Sequence, residues 1–156
     1  MPVPTTYTYT ALELLTAAKM NNDNNMLQTA LNAVWEPVII IIPLNTQTAL
    51  SAGNNIRQFH ISPRFNGWTI SRVTASRDSG TGLVSIQIYN INKAANVLST
   101  PLTIDSGETS SSTAATPAVI NTSYDDVASY ERLRIDVSSA GTNTLYAVVN
   151  IELTRP

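Results

Sequence analysis

The sequence predicts a mainly β protein, an eight-stranded antiparallel jelly-roll sandwich preceded by a short helical N-terminal arm. Three observations predict this fold. Apolar residues recur at helical spacing before Trp35, they alternate with polar residues after Pro37, and turn-forming residues separate the alternating segments. We therefore expect two parts: an arm over residues 1–36 and a β-domain over residues 37–156.

The arm should begin as an extended segment, because prolines and a Thr-Tyr alternation disfavour a helix over residues 1–10. Thr10 and Glu13 have the spacing of a capping box, which predicts a helix start at Thr10. The cluster Asn21–Asn25 suits a turn or a helix N-cap, and Pro37 ends the second helical segment. We therefore expect one or two short helices between Thr10 and Pro37.

Neither helix should be stable alone, because each is only about ten residues long. Their apolar stripes need a partner, which the β-domain, other copies of the arm or another protein could supply. The partner-binding residues predicted in the arm are Tyr7, Tyr9, Leu12, Leu15, Leu27, Leu31 and Val34.

The strands follow from alternation with a period of two, as in Leu83–Tyr89 and Leu133–Val137. Connections rich in Gly, Asn, Ser or Pro separate them, and eight strands suit a two-sheet sandwich. The run Val38–Ile42 does not alternate, which indicates a strand covered on both faces, with the preceding helix as a candidate cover. The predicted strands are 38–42, 56–61, 68–75, 83–90, 96–104, 116–121, 131–138 and 144–154.

Composition argues against several classes of protein. Charged residues make up 13% of the chain and the net charge is −2, so no basic field would attract nucleic acid. There is no cysteine, which excludes disulfides and thiolate metal sites. The longest apolar run is far too short to span a bilayer, and the N-terminus does not resemble a signal peptide. We expect neither a nucleic-acid partner nor a membrane partner.

Few residues offer catalytic or metal chemistry, so we expect no enzyme, no cofactor and no metal site. His60 is the only histidine, and we interpret it as a partly packed strand residue. Asp125, Asp126 and Glu131 could hold calcium, but solvated loop carboxylates are the favoured interpretation. The amides of Asn21–Asn25 are better explained by helix capping than by metal binding.

Several other segments have a structural interpretation. Asp78–Gly82 predicts a hairpin turn, and Ser106–Thr116 predicts a long surface loop within the domain. Trp68 begins a strand and should belong to the core. The tyrosines at 124, 130 and 146 could lie in an interface or stack on sugars, and the sequence leaves both open.

The order of these motifs resembles a β-domain of tailed-bacteriophage structural proteins. The similarity lies in Trp68–Ser76, Gly82–Asn90, Val97–Ser110 with Thr116–Ile120, and Leu133–Val137 with the closing strand. In addition, Tyr9–Asn21 is similar to the short leader on many phage fibre and minor structural proteins.

This resemblance implies a non-enzymatic virion protein. A leader followed by one jelly roll suits a capsid decoration or cement protein, expected as a homotrimer on the outer surface of the head and bound to major capsid protein or other virion proteins. The alternative is a neck or tail fibre, or a receptor-binding protein whose jelly roll contacts host glycans.

Overall fold

The computed structural model describes residues 37–155, and the predicted helical arm lies outside these residues. The segment Pro37–Pro156 forms one compact unit. Its strands are β1 (Val38–Pro43), β2 (Gly53–His60), β3 (Thr69–Ser76), β4 (Ser79–Asn90), β5 (Ala95–Asn96), β6 (Leu98–Thr100), β7 (Leu102–Ile104), β8 (Val119–Ile120), β9 (Arg132–Leu145) and β10 (Val148–Thr154). Two short 3-10 helices lie at Pro63–Phe65 and Ser111–Thr113.

All strand pairs in the described domain are antiparallel. One sheet has three strands in the order β1-β10-β3. A larger sheet has the order β2-β9-β4-β5, with β7 also paired to β4, and β6 and β8 form a small third sheet. Strands β1 and β2 are therefore edge strands of the two main sheets.

The inward side chains of both main sheets belong to a single buried core cluster. Ile151 and Leu153 of β10, Ile86 and Ile88 of β4, and Ile135 of β9 are each at most 1% exposed. This mainly β arrangement of antiparallel sheets is consistent with a β-sandwich. Trp68 belongs to the core at 9% exposure, as the sequence predicts.

A bulge explains why the buried residues of β3 do not alternate strictly. Glu152 of β10 pairs with Arg72 of β3, and the next residue, Leu153, pairs with Ile70. Ser71 is therefore an extra residue in β3 without its own partner. As a result Ile70 and Val73, three residues apart, both point into the core.

Several strand predictions need correction. The predicted strand 96–104 is divided into β5, β6 and β7, and Pro101 separates the last two because proline interrupts a ladder. The predicted strand 116–121 shrinks to the two residues of β8. Strand β9 is longer than predicted: it continues through Gly141 to Leu145 and pairs there with the start of β4.

The hairpin predicted at Asp78–Gly82 is wrong. Strand β3 belongs to the three-stranded sheet and β4 to the larger sheet, so this tight turn carries the chain from one sheet to the other. The turn between β9 and β10 makes the reverse crossing beside it, where the Asp78 amide donates to the Leu145 carbonyl at 3.1 Å. Ser106–Thr116 is a loop, as predicted, and it contains the second 3-10 helix.

Candidate interaction surface

Strand β1 exposes large apolar side chains at the free edge of a sheet. Ile39 is 54% exposed and Ile41 is 66% exposed, whereas Ile42 is buried in the core. The preceding helix, which the sequence suggests as the cover of this face, lies outside the described residues, so coverage of both faces stays a prediction. The sequence could not reveal this alternation, because isoleucine occupies both faces of the strand.

The outward face of β1 continues onto β10 and β3 through cross-strand neighbours. Ile39 lies opposite Glu152 and Ile41 lies opposite Asn150, while Glu152 lies opposite Arg72. The exposed isoleucines of this face thus lie on β1, and its charged residues lie on β10 and β3.

A groove of about 420 Å³ runs between the edge strands β1 and β2. We call it the edge groove, and Ile40, Ile42, Phe59, His60 and Phe65 are among the residues that line it. Apolar side chains dominate its wall, a property typical of surfaces that bind an extended peptide or another protein.

One end of the edge groove is held by Arg57 of β2. Its Nε donates to the Pro43 carbonyl at 3.0 Å, and one terminal nitrogen donates to the Ile56 carbonyl at 3.0 Å. His60 is a strand residue, as predicted, but its side chain is exposed at the groove instead of partly packed.

Other exposed apolar side chains are scattered over the described domain. Leu83 is 45% exposed, Val119 50%, Tyr146 44% and Tyr130 69%. Tyr130 and Tyr146 both have positive φ, at 60° and 52°, which places them in turns that project the ring from the surface. These residues do not form one strand face as Ile39 and Ile41 do.

The acidic residues near β9 form an ion-pair cluster around a lysine. Lys93 Nζ lies 2.9 Å from an Asp126 carboxylate oxygen and 3.7 Å from Glu131 Oε1. Glu131 also accepts a hydrogen bond from the Ala128 amide at 2.9 Å and is only 4% exposed. The prediction of solvated loop carboxylates is therefore wrong for Glu131, which is buried and paired.

The Lys93 ammonium pairs with the carboxylates of Asp126 and Glu131. Within residues 37–155, no group of three or more histidine, cysteine or acidic side chains is arranged to hold a metal ion. Over the same range, no helix has the length and apolar character required to cross a membrane.

The partner-binding residues predicted in the arm lie outside the described residues, so their prediction stays untested. They are Tyr7, Tyr9, Leu12, Leu15, Leu27, Leu31 and Val34.

Sequence reasoning missed the β1 edge as an interaction surface. The available signal was the uncharged run Val38–Ile42 bounded by Pro37 and Pro43, since proline in a strand is typical of an edge.

Comparisons with models of protein families, with curated proteins and with solved structures gave no match to this chain.

Proposed function

We propose that this chain is a non-enzymatic structural protein of a tailed-bacteriophage virion, most specifically a decoration or cement protein that binds the outer surface of the assembled head. The observation that carries the proposal is the β1 edge with its adjoining edge groove, which together present a mainly apolar surface on the β-domain. Exposed apolar surface of this kind is typical of proteins that work by association.

The order of sequence motifs gives the proposal its particular class. Trp68–Ser76, Gly82–Asn90 and Leu133–Val137, which resemble the phage β-domain, correspond closely to β3, β4 and the first half of β9. We extend the proposal to the topology, a jelly roll, and to the oligomeric state, a homotrimer.

In this proposal, the arm and the β-domain make different contacts. The arm binds major capsid protein or neighbouring virion proteins through Tyr7, Tyr9 and the apolar residues of its helical segments. The β-domain packs against other subunits on the head surface.

The mechanism is stabilisation by mass action. A protein that binds the assembled lattice and not its dissociated subunits shifts the equilibrium towards the lattice by its binding free energy. Many copies on one particle multiply a modest contact energy.

The test is to add the purified chain to phage particles that lack it and to measure the temperature at which the particles release their DNA. We expect the release temperature to rise with the concentration of added chain until the sites are filled. The double variant Leu12→Asp and Leu15→Asp should not raise it, because charge on the apolar stripe opposes burial at the contact. A release temperature that the native chain leaves unchanged would overturn the cement proposal.

A second candidate function, a neck or tail fibre or a receptor-binding protein for host glycans, is favoured by Tyr130. Its ring is 69% exposed and therefore free to stack on a sugar. In that case Tyr130→Ala should reduce adsorption of phage to cells while leaving the heat stability of the particles unchanged. Particles that lack the whole chain separate the two functions. If the chain is a cement protein, these particles should have lower heat stability and unchanged adsorption to cells.

A further inference from the structure

We infer that the β1 edge binds a second copy of this chain, through antiparallel β1–β1 pairing about a two-fold axis at Ile40. This inference rests on the proposed function as an assembly protein and names the partner of that surface. The pairing joins the three-stranded sheets of two copies into one continuous sheet. It is a different contact from the three-fold association predicted from the arm.

The hydrogen-bond pattern of β1 identifies the backbone groups that face the free edge. The Leu44 amide donates to the Ala147 carbonyl at 2.8 Å, next to the register pair Pro43 and Val148. Because the amide and carbonyl groups of successive residues alternate in direction along a strand, those of the even-numbered residues of β1 point towards β10. The amides and carbonyls of Ile39 and Ile41 therefore point to the free edge.

A register centred on Ile40 satisfies all four of these groups. In this register Ile39 of one copy lies opposite Ile41 of the second copy, and the two residues exchange a pair of hydrogen bonds. The two-fold axis repeats the pair on the other side of Ile40. The same register places the exposed side chains of Ile39 and Ile41 directly beside each other, so that four isoleucines form one apolar stripe.

Prolines set the length of this pairing. The next pair outward would be Pro43 of one copy and Pro37 of the second copy, and neither residue has an amide hydrogen to donate. The Pro43 carbonyl already accepts from Arg57. The ladder therefore ends after five residues on each strand, and longer or shifted registers would leave some of the free groups of Ile39 and Ile41 unpaired.

The absence of charge on β1 favours a second copy as the occupant. Exposed edges are commonly protected from self-pairing by lysine or other charged residues, and strand β1 carries none. Pro37 and Pro43 lie symmetrically about Ile40, so the strand is matched to itself in the two-fold register.

The edge groove adds apolar area to the same contact. It lies beside β1, so the two-fold axis places the grooves of the two copies next to each other. Ile40 lines the groove and lies on the axis, opposite its own counterpart. A surface that meets itself in this way is the normal form of a two-fold interface.

Disulfide cross-linking of the full-length chain tests both the partner and the register, since the native chain contains no cysteine. Residues directly opposite each other in this register lie about 5.5 Å apart at Cα, within the range that a disulfide can bridge. Ile39 and its own counterpart are diagonal neighbours, roughly 7–8 Å apart and too distant to bridge. The substitutions Ile39→Cys and Ile41→Cys change exposed side chains, so neither should disturb the fold.

We expect co-expressed Ile39→Cys and Ile41→Cys chains to form a covalent dimer on mild oxidation, at a rate at least about tenfold above either variant alone. The matched control is Ile41→Cys with Leu83→Cys, which pairs the edge with an exposed residue of β4 and should not cross-link. Equal cross-linking in all combinations, or none in the first, would overturn the inference. The experiment uses purified chain without particles. A negative cross-linking result would therefore contradict the β1–β1 pairing and not the cement function. Failure of the chain to bind particles would contradict the cement function and not the pairing.

Discussion

Arg77 shows how one buried charge holds together the corner where the chain changes sheets. It is 3% exposed, and its guanidinium donates to the carbonyls of Glu108, Gly82 and Asp105 at 2.9, 3.0 and 3.1 Å. Among the described residues no carboxylate forms an ion pair with it, so backbone oxygens satisfy the charge. The side chain therefore connects the end of β3 with the start of β4 and with the loop that contains Asp105 and Glu108.

Replacing Arg77 should destabilise the domain, because three partly buried carbonyls would lose their donor. We expect Arg77→Met to lower the free energy of unfolding by about 2–4 kcal/mol, measured by urea denaturation. The matched control Arg72→Met changes an exposed arginine of β3 and should stay within about 0.5 kcal/mol of the native value. Equal effects of the two substitutions would show that Arg77 does not hold the corner.

At the scale of the element, the long pairing of β4 with β9 depends on close approach of their backbones. Gly141 of β9 has a φ of 64°, and a Cβ there would lie 2.5 Å from the Thr81 carbonyl oxygen of β4. Only glycine meets both requirements at this position. The register of the two strands shifts at several points in the same region, as bulges require.

The substitution Gly141→Ala should destabilise the domain by about 2–5 kcal/mol, the sum of left-handed backbone strain and steric overlap. Gly107→Ala is the control, because Gly107 also has positive φ, at 87°, but a Cβ there meets no atom within 4 Å. We expect about 1–2 kcal/mol for that change. Thermal unfolding of the two variants measures the difference, and a smaller effect at Gly141 than at Gly107 would contradict the close approach.

These elements also show how far the sequence predicts the fold. Alternation found β4 and β10, because one face of each strand is buried in the core, but it placed the start of β4 four residues too late and the start of β10 four residues too early. It missed the second half of β9, where Gly141 and Asn143 have the character of turn residues. Both have positive φ within the strand, and pairing with β4, distant in sequence, overrides their local preference. The β1 edge was missed because four consecutive isoleucines give no sign of which face is buried.

At the scale of the whole molecule, we propose that the arm provides attachment and that the β-domain folds on its own. Among the described residues, the core cluster of the β-domain is built from residues 42–153. We therefore expect a chain that lacks residues 2–36 to remain folded, with cooperative thermal unfolding, while losing attachment to particles in co-sedimentation. A truncated chain that fails to unfold cooperatively would show that the arm belongs to the core of the domain.

A cryo-electron microscopy map of intact particles would show whether this chain lies on the outer surface of a phage head, as we propose. We expect density for the β-domain on the outside of the head, at many copies arranged with the symmetry of the shell. Density confined to a few copies at the neck or tail, or no density for the chain on the particle, would contradict it.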